Sequence, residues 1–217
     1  MKYRKQQSNF FYMIARFILT VIYNLFFKVE THGAWRIPKE GGMILASNHQ
    51  SYLDPTGLGT FVRKRRLRFM ARETVFQVAV LKRVILWLGA FPIKRGKFDL
   101  TGMNIMINLL KEGEVVVMFP EGTRSHTGKI LPIQPGIGII AHKARVPIIP
   151  VYIDGFYNAW PRHNLFPRLF KKLKLIYGYP IHFDELYKQK ASGKIYREIA
   201  KIVEENIHKL EAIIKGK

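Results

Sequence analysis

The 217-residue chain contains no cysteine, and only 15 acidic residues against 36 lysines and arginines. The first absence excludes a disulfide framework, thiolate metal sites and a cysteine nucleophile, while leaving the cellular compartment open. The second leaves a formal charge of +21. A surplus that large must face something anionic: phospholipid headgroups, nucleic acid or a phosphorylated substrate. No Gly-x-Ser-x-Gly elbow occurs, and no His-Glu-x-x-His or similar zinc spacing. Neither a nucleophilic serine of that type nor a bound metal is therefore expected. Internal repeats, low-complexity stretches and Gly/Ser linkers are also missing. What is there suffices to fold: 48% hydrophobic residues, with three Trp and fifteen Phe, argue against disorder and for one domain with a real core.

The N-terminal stretch MKYRKQQSNFFYMIARFILTVIYNLFFKVE stands apart. Residues 9–27 would make about 28 Å of helix, nearly the thickness of a bilayer's hydrocarbon core. No small-residue cleavage site follows, so this is not a standard signal peptide. Asn9, Arg16, Thr20 and Asn24 recur at spacings of seven, four and four, a narrow polar stripe on a helix. Lys2, Arg4 and Lys5 precede the run and Lys28 follows it. These features predict a helix lying in the membrane interface. Arg4, Phe10, Phe11, Arg16, Phe17, Phe26 and Phe27 are its expected membrane-binding residues; a full span or a buried core helix are the alternatives.

Short β-rich runs then alternate with helical patterns. Strands are predicted at 43–47, 67–71, 91–94, 115–119, 147–153 and 172–181, and helices at about 55–64, 74–88, 99–112, 136–145 and 193–215. Unbroken apolar runs such as Val115 to Phe119 suit strands covered on both faces. Gly113 sits where a helix C-cap belongs. The pattern predicts an α/β fold with a mostly parallel central sheet flanked by helices, preceded by the N-terminal membrane-interfacial helical segment. Functional residues should then gather in loops at strand ends.

Two such loops carry polar residues. In NHQSYLDP (48–55), His49 lies between a strand and a helix, and Asp54-Pro55 reads as an N-cap followed by proline at the first helical position. Taken alone, the pair is either a cap beside a loop histidine or a His–Asp couple. In the couple, the carboxylate would fix the imidazole tautomer while the other ring nitrogen takes a proton. In VVVMFPEGTRS (115–125), Gly122 lets backbone N–H groups approach an anion and Arg124 offers a planar fork for phosphate. GAFPIKRG (89–96) repeats this logic with Lys94 and Arg95. VPIIPVYIDG (146–155) has two prolines, which point to an edge or a strand start.

In this order, NHQSYLD, GAFPIKR, FPEGTRS and VPIIPV resemble the four sequence blocks of the glycerolipid acyltransferases, closest to the 1-acylglycerol-3-phosphate acyltransferase type. The blocks span residues 48 to 151. The resemblance implies transfer of a fatty acyl group from acyl-CoA or acyl carrier protein to the 2-hydroxyl of lysophosphatidic acid, giving phosphatidic acid. It implies His49 as general base and Asp54 as its orienting partner. By the same resemblance Arg95 and Arg124 hold the phosphate, while Glu121, Gly122 and Thr123 shape the acceptor site. Many relatives carry lysine in an FMAK segment where this chain has FMAR, which hands that role to Arg72. No cofactor is implied beyond the acyl-donor substrate. With no serine elbow and no cysteine, direct attack of the acceptor hydroxyl on the thioester is expected rather than a covalent acyl-enzyme.

Residues 1–28 are then expected as a membrane-associating segment and 29–217 as the catalytic domain. Lipid substrates call for an anionic phospholipid membrane as partner, on the cytoplasmic side where acyl thioesters are found. The run RKRRLRFMAR (63–72) adds Arg63, Lys64, Arg65 and Arg66 as candidate headgroup ligands. RHNLFPRLFKKLK (162–174) interleaves aromatic and basic residues and is either a membrane-facing loop or ordinary packing. A different phosphorylated acceptor, such as glycerol 3-phosphate, would fit the same motifs. So would a non-catalytic membrane adaptor, although its retention of His49 and Asp54 would be unexplained. Nucleic acid is not expected as a partner, because the apolar helix would serve no purpose there and no zinc-finger, helix-turn-helix or RNA-binding signature occurs.

Overall fold

Strands β2 (Met43–Ser47) and β5 (Val115–Met118) bury every residue, as apolar runs without alternation must when both faces of a sheet are covered. The computed structural model describes residues 9–72, 86, 89–93 and 100–216. Around those two strands it places α1 (Asn9–Phe26), β1 (Lys28–His32), a 3-10 turn (Ala34–Arg36), α2 (Asp54–Phe61), β3 (Leu67–Arg72) and β4 (Ala90–Ile93). There follow α3 (Leu100–Lys111), α4 (Gly136–Ala144), β6 (Ile148–Asp154), α5 (Phe156–Ala159), β7 (Lys172–Tyr177), α6 (Asp184–Lys188) and α7 (Gly193–Lys215). The seven strands form one sheet in the order β1-β7-β6-β2-β5-β3-β4. All neighbours pair in parallel except β6 with β7. The fold is therefore α/β with a mostly parallel sheet flanked by helices.

Alternate residues of the central strands serve two cores. Ile44, Ala46, Val116, Met118 and Ile148 pack under α3, α4 and α7. Met43, Leu45, Val115, Val117 and Ile149 pack on the other face, beneath α1, α2 and α5. Helix α7 shows why it lies where it does: Ile195, Ile199, Val203, Ile207 and Leu210 fall on one face and are all buried. Ser192 caps its first turn by accepting the Ile195 N–H. Gly113, at φ 85°, ends α3 with its N–H on the Leu110 carbonyl, the cap expected there.

Several expectations are corrected. Pro147 directly precedes the first residue of β6, as the strand-start alternative has it, but β6 is central, between β7 and β2, and not an edge. Pro150 is tolerated because it faces Gly178, just past the end of β7, where the ladder no longer needs its N–H. A Cβ on residue 178 would lie 2.7 Å from the proline ring. Strand β7 ends at Tyr177 and does not run to 181; beyond it the chain meets β6 through the Gly178 N–H on the Pro150 carbonyl and an isolated bridge of Ile181 to Ile148. The edge strand β1 was missed, since KVETH has a single aliphatic residue. Apart from Leu86, the helix expected at 74–88 lies outside the described residues.

The N-terminal helix is packed in an unexpected sense. Of its predicted polar stripe, Arg16 and Thr20 turn toward α2 and are partly buried, with Arg16 Nη1 donating to the Arg63 carbonyl at 3.1 Å, whereas Asn24 is exposed. Tyr12 and Tyr23 are buried against the sheet side. Phe10, Met13, Phe17, Ile18, Val21 and Leu25 face outward, while Leu19 and Phe26 pack against the core. No helix among the described residues is long and apolar enough to cross a membrane.

Candidate active site

Parallel strands β2, β5 and β6 all end at one edge of the sheet, so the loops after them meet. The loop after β2 is pinned to β6 by Asn48, whose amide donates to the Ile153 carbonyl at 3.0 Å and accepts the Ile153 N–H at 2.8 Å. Gln50 donates to the Gly128 carbonyl, and Ser51 to that of Trp160, both at 2.7 Å. Motif reasoning passed over these three residues, although their identity as hydrogen-bonding amides and hydroxyl in a buried loop was the available signal.

His49 Nδ1 stands 2.7 Å from Asp54 Oδ2. The same oxygen accepts the N–H groups of Gln50 at 2.6 Å and Ser51 at 2.8 Å. An oxygen that receives three donors assigns the imidazole proton to Nδ1, which leaves the lone pair on Nε2. Asp54 is completely buried. Burial pushes its carboxyl above the usual aspartate range, while the His49 hydrogen bond and the two backbone N–H groups pull the other way. The N-cap reading of Asp54 is displaced by one residue: Leu53 is the N-cap, Asp54 is the first helical residue and Pro55 the second. Its carboxylate bends back to organise the preceding loop and makes no cap hydrogen bond to its own helix.

The imidazole stacks on Phe119, the first residue after β5 and the start of the FPEGTRS loop, with centroids 4.0 Å apart and planes inclined by 16°. Phe119 was not singled out from sequence. The two loops are joined further by the Ser125 N–H on the His49 carbonyl at 2.8 Å, and by the His49 N–H on Glu121 Oε1 at 3.1 Å. Glu121 is buried, and desolvation pushes its carboxyl up to about 8 against the opposing pull of the His49 and Leu131 N–H groups. Gly122 turns the chain at φ 76°, a left-handed conformation, beside the exposed Thr123. Arg124 lies over the Tyr52 ring at 3.7 Å, and its Nη1 is buried with no hydrogen-bond partner. An unsatisfied guanidinium nitrogen held on an aromatic face beside the histidine is suited to an incoming anion.

Not every expected residue joins this cluster. Arg4 and Arg95 lie outside the described residues. Arg72 ends β3, and its side chain also falls outside them. Arg63, Lys64, Arg65 and Arg66 come just before β3, whose first residue pairs with the first of β5, so they sit at the opposite end of the sheet from His49. Arg65 is spent on the carbonyls of Pro38, Gly41 and Gly113, and Arg66 lies over the Tyr12 ring at 4.7 Å. Arg63 and Lys64 are exposed. Phe10, Phe11 and Phe17 are exposed on α1, whereas Phe26 is partly buried and Phe27 belongs to the core. Phe27 follows the helix directly and turns inward with the chain as it enters β1.

Residues 28–154, which carry β1 to β6 of this mostly parallel sheet, the His49–Asp54 couple and the arginine-bearing loop at its carboxyl edge, match the family model described as Acyltransferase. The chain belongs to that family. It is 31% identical over 166 residues to a 1-acyl-sn-glycerol-3-phosphate acyltransferase of Bacillus subtilis, covering 76% of this chain and 79% of that one. Over 154 residues it is 32% identical to the human 1-acyl-sn-glycerol-3-phosphate acyltransferase beta, covering 67% of this chain and 54% of the human protein. The crystal structure of the 1-acyl-sn-glycerophosphate (LPA) acyltransferase of Thermotoga maritima superposes with a TM-score of 0.70 at 27% identity, over 93% of this chain and 78% of that one.

Proposed function

We propose that the protein transfers a fatty acyl group from an acyl thioester, acyl-CoA or acyl carrier protein, to the 2-hydroxyl of 1-acylglycerol 3-phosphate, giving phosphatidic acid. The observation that carries this reading is the His49–Asp54 couple at 2.7 Å with Nε2 left to accept a proton. The acceptor hydroxyl attacks the thioester carbonyl carbon as its proton passes to His49 Nε2. Asp54 holds the imidazole in register and stabilises the imidazolium that forms. The tetrahedral intermediate then collapses, the carbon–sulfur bond breaks, and the thiolate takes the proton from His49. No covalent acyl-enzyme intervenes.

Arg124, poised on Tyr52 with a buried unpaired Nη1, holds the acceptor's phosphate, with Arg72 and Arg95 as further candidates. Glu121, Gly122 and Thr123 shape the acceptor site. The work is done at the cytoplasmic surface of an anionic membrane, against which the outward apolar face of α1 rests. The test is an assay of the purified chain in liposomes with lysophosphatidic acid and either donor. Phosphatidic acid formation should fall about 10²–10⁴-fold in His49→Ala, and a wild-type rate no higher than that variant's overturns the reading. In the same assay Arg124→Ala should raise the acceptor KM far more than the donor KM. An unchanged acceptor KM removes Arg124 from the site.

A further inference from the structure

The connection from α5 to β7 is the least economical part of the surface. Leu165 is 80% exposed, Phe166 74% and Phe170 69%, with Leu169 beside them. Contiguous apolar side chains left in water at this level mark a surface that meets something else. They are not loosely held. The Arg168 N–H bonds the Ala159 carbonyl at 2.7 Å, the Asn164 N–H that of Pro161 at 3.1 Å, and Trp160 Nε1 donates to the Asn164 carbonyl at 3.1 Å. Phe170 adopts a φ of 59°, a left-handed conformation that costs a non-glycine residue free energy and must be held by its surroundings.

Two tethers fix where this loop lies. The Phe170 N–H bonds the Phe26 carbonyl at 2.6 Å, and the Lys28 N–H that of Lys171 at 3.1 Å, so the loop abuts the C-terminal end of α1. At its other end, Ser51 bridges to Pro161, and Tyr52 packs against Trp160 at 5.4 Å. The loop thus spans from the apolar helix to the residues between His49 and Asp54. The charge of the loop itself is of one sign: it carries Arg162, Arg168 and Lys171 and no acidic residue, while Lys172, the first residue of β7, is paired with Glu30 at 2.7 Å.

We propose that loop 162–171 is a second membrane-docking element, whose apolar tip enters an anionic bilayer beside α1 while its basic residues engage lipid phosphates. Continuity with the outward face of α1 and the uniform positive charge select a lipid surface as occupant. The inference rests on the proposed reaction at a membrane, and it adds what that reaction needs. One helix lets the domain roll about its axis, whereas two separated contacts hold the His49 edge against the lipid.

The absence of cysteine supplies the experiment. Phe166→Cys, introduced into the full chain and labelled with an environment-sensitive nitrobenzoxadiazole probe, should brighten several-fold and shift to the blue on phosphatidylglycerol vesicles. Phe17→Cys reports α1 in the same way, and Lys190→Cys, at the opposite end of the sheet, should not respond. In a separate binding assay, Leu165→Asp combined with Phe166→Asp should raise the lipid concentration for half-maximal binding about tenfold or more, with the melting temperature checked for folding. A probe at 166 that stays at the level of 190 while 17 responds overturns the proposal. So does a response at 166 to acyl carrier protein but not to vesicles, which would make the loop a protein-docking surface. The readout needs no turnover: an inactive enzyme with an embedded loop defeats the proposed reaction and leaves this inference standing.

Discussion

Asp54 illustrates how one side chain takes a role by position and not by type. Its sequence context, Asp before Pro, suits a helix cap, yet the carboxylate turns back to collect His49, Gln50 and Ser51. A carboxylate that organises its own loop holds the imidazole in place without help from substrate, which is what a base acting at first contact requires. Glu121 is the complementary case. Because burial raises its carboxyl to about 8, the folded protein binds that proton more tightly than the unfolded chain does. The stabilisation is complete below the ordinary glutamate range, near pH 4.5, and is lost as pH rises toward about 8. Urea unfolding across that window should therefore show Glu121→Gln gaining on the wild type with rising pH. Parallel curves would mean that Glu121 is not protonated in the fold.

Helix α1 shows the same logic at the scale of an element. Its buried seam includes Tyr23, whose hydroxyl donates to the Leu53 carbonyl at 2.9 Å and meets Thr56 Oγ1 at 2.8 Å. The helix therefore braces the residue just before Asp54, and deleting it would damage the site as well as the proposed membrane contact. Point changes on the outer face separate the two effects. Phe17→Asp and Leu25→Asp lie on exposed positions, so their effect on folding stability should stay within about 0.5 kcal/mol. Each should weaken vesicle binding about tenfold or more in a sedimentation assay. Unaltered binding in both would remove this face from the membrane. The run at 63–66 belongs to another element and another end of the sheet. There Arg65 reaches three loop carbonyls and Arg66 an aromatic ring, so both stabilise packing before they meet any lipid.

For the whole molecule, the excess of +21 acts as a field and not through any one pair. Vesicle binding should weaken steeply between low and physiological ionic strength and more gently beyond, since screening shortens the reach of surface charge to about 8 Å at 0.15 M. The measurement is binding to phosphatidylglycerol vesicles across a salt series. Salt-independent binding would assign attachment to apolar insertion alone. The C-terminal end of α1, loop 162–171 and the His49 loop meet at one edge of the molecule, because β2 and β6 end there while β7, antiparallel to β6, and β1, parallel to β7, begin there.

Much of this was legible in the chain itself. Unbroken apolar runs determined β2 and β5, the 3.6-residue spacing of isoleucines determined α7, and the ordered blocks from Asn48 to Val151 marked the family and the candidate couple. Those signals are local, and local periodicity survives without knowledge of partners. What the linear pattern left open depends on which surface meets which. Only the tertiary structure turned Arg16 and Thr20 of α1 toward α2, put the proline-bearing β6 at the centre of the sheet, stacked Phe119 on His49 and set Arg124 on Tyr52. Each of these is a contact between segments far apart in sequence, chosen by packing and hydrogen-bond satisfaction across the fold rather than by the propensity of either segment.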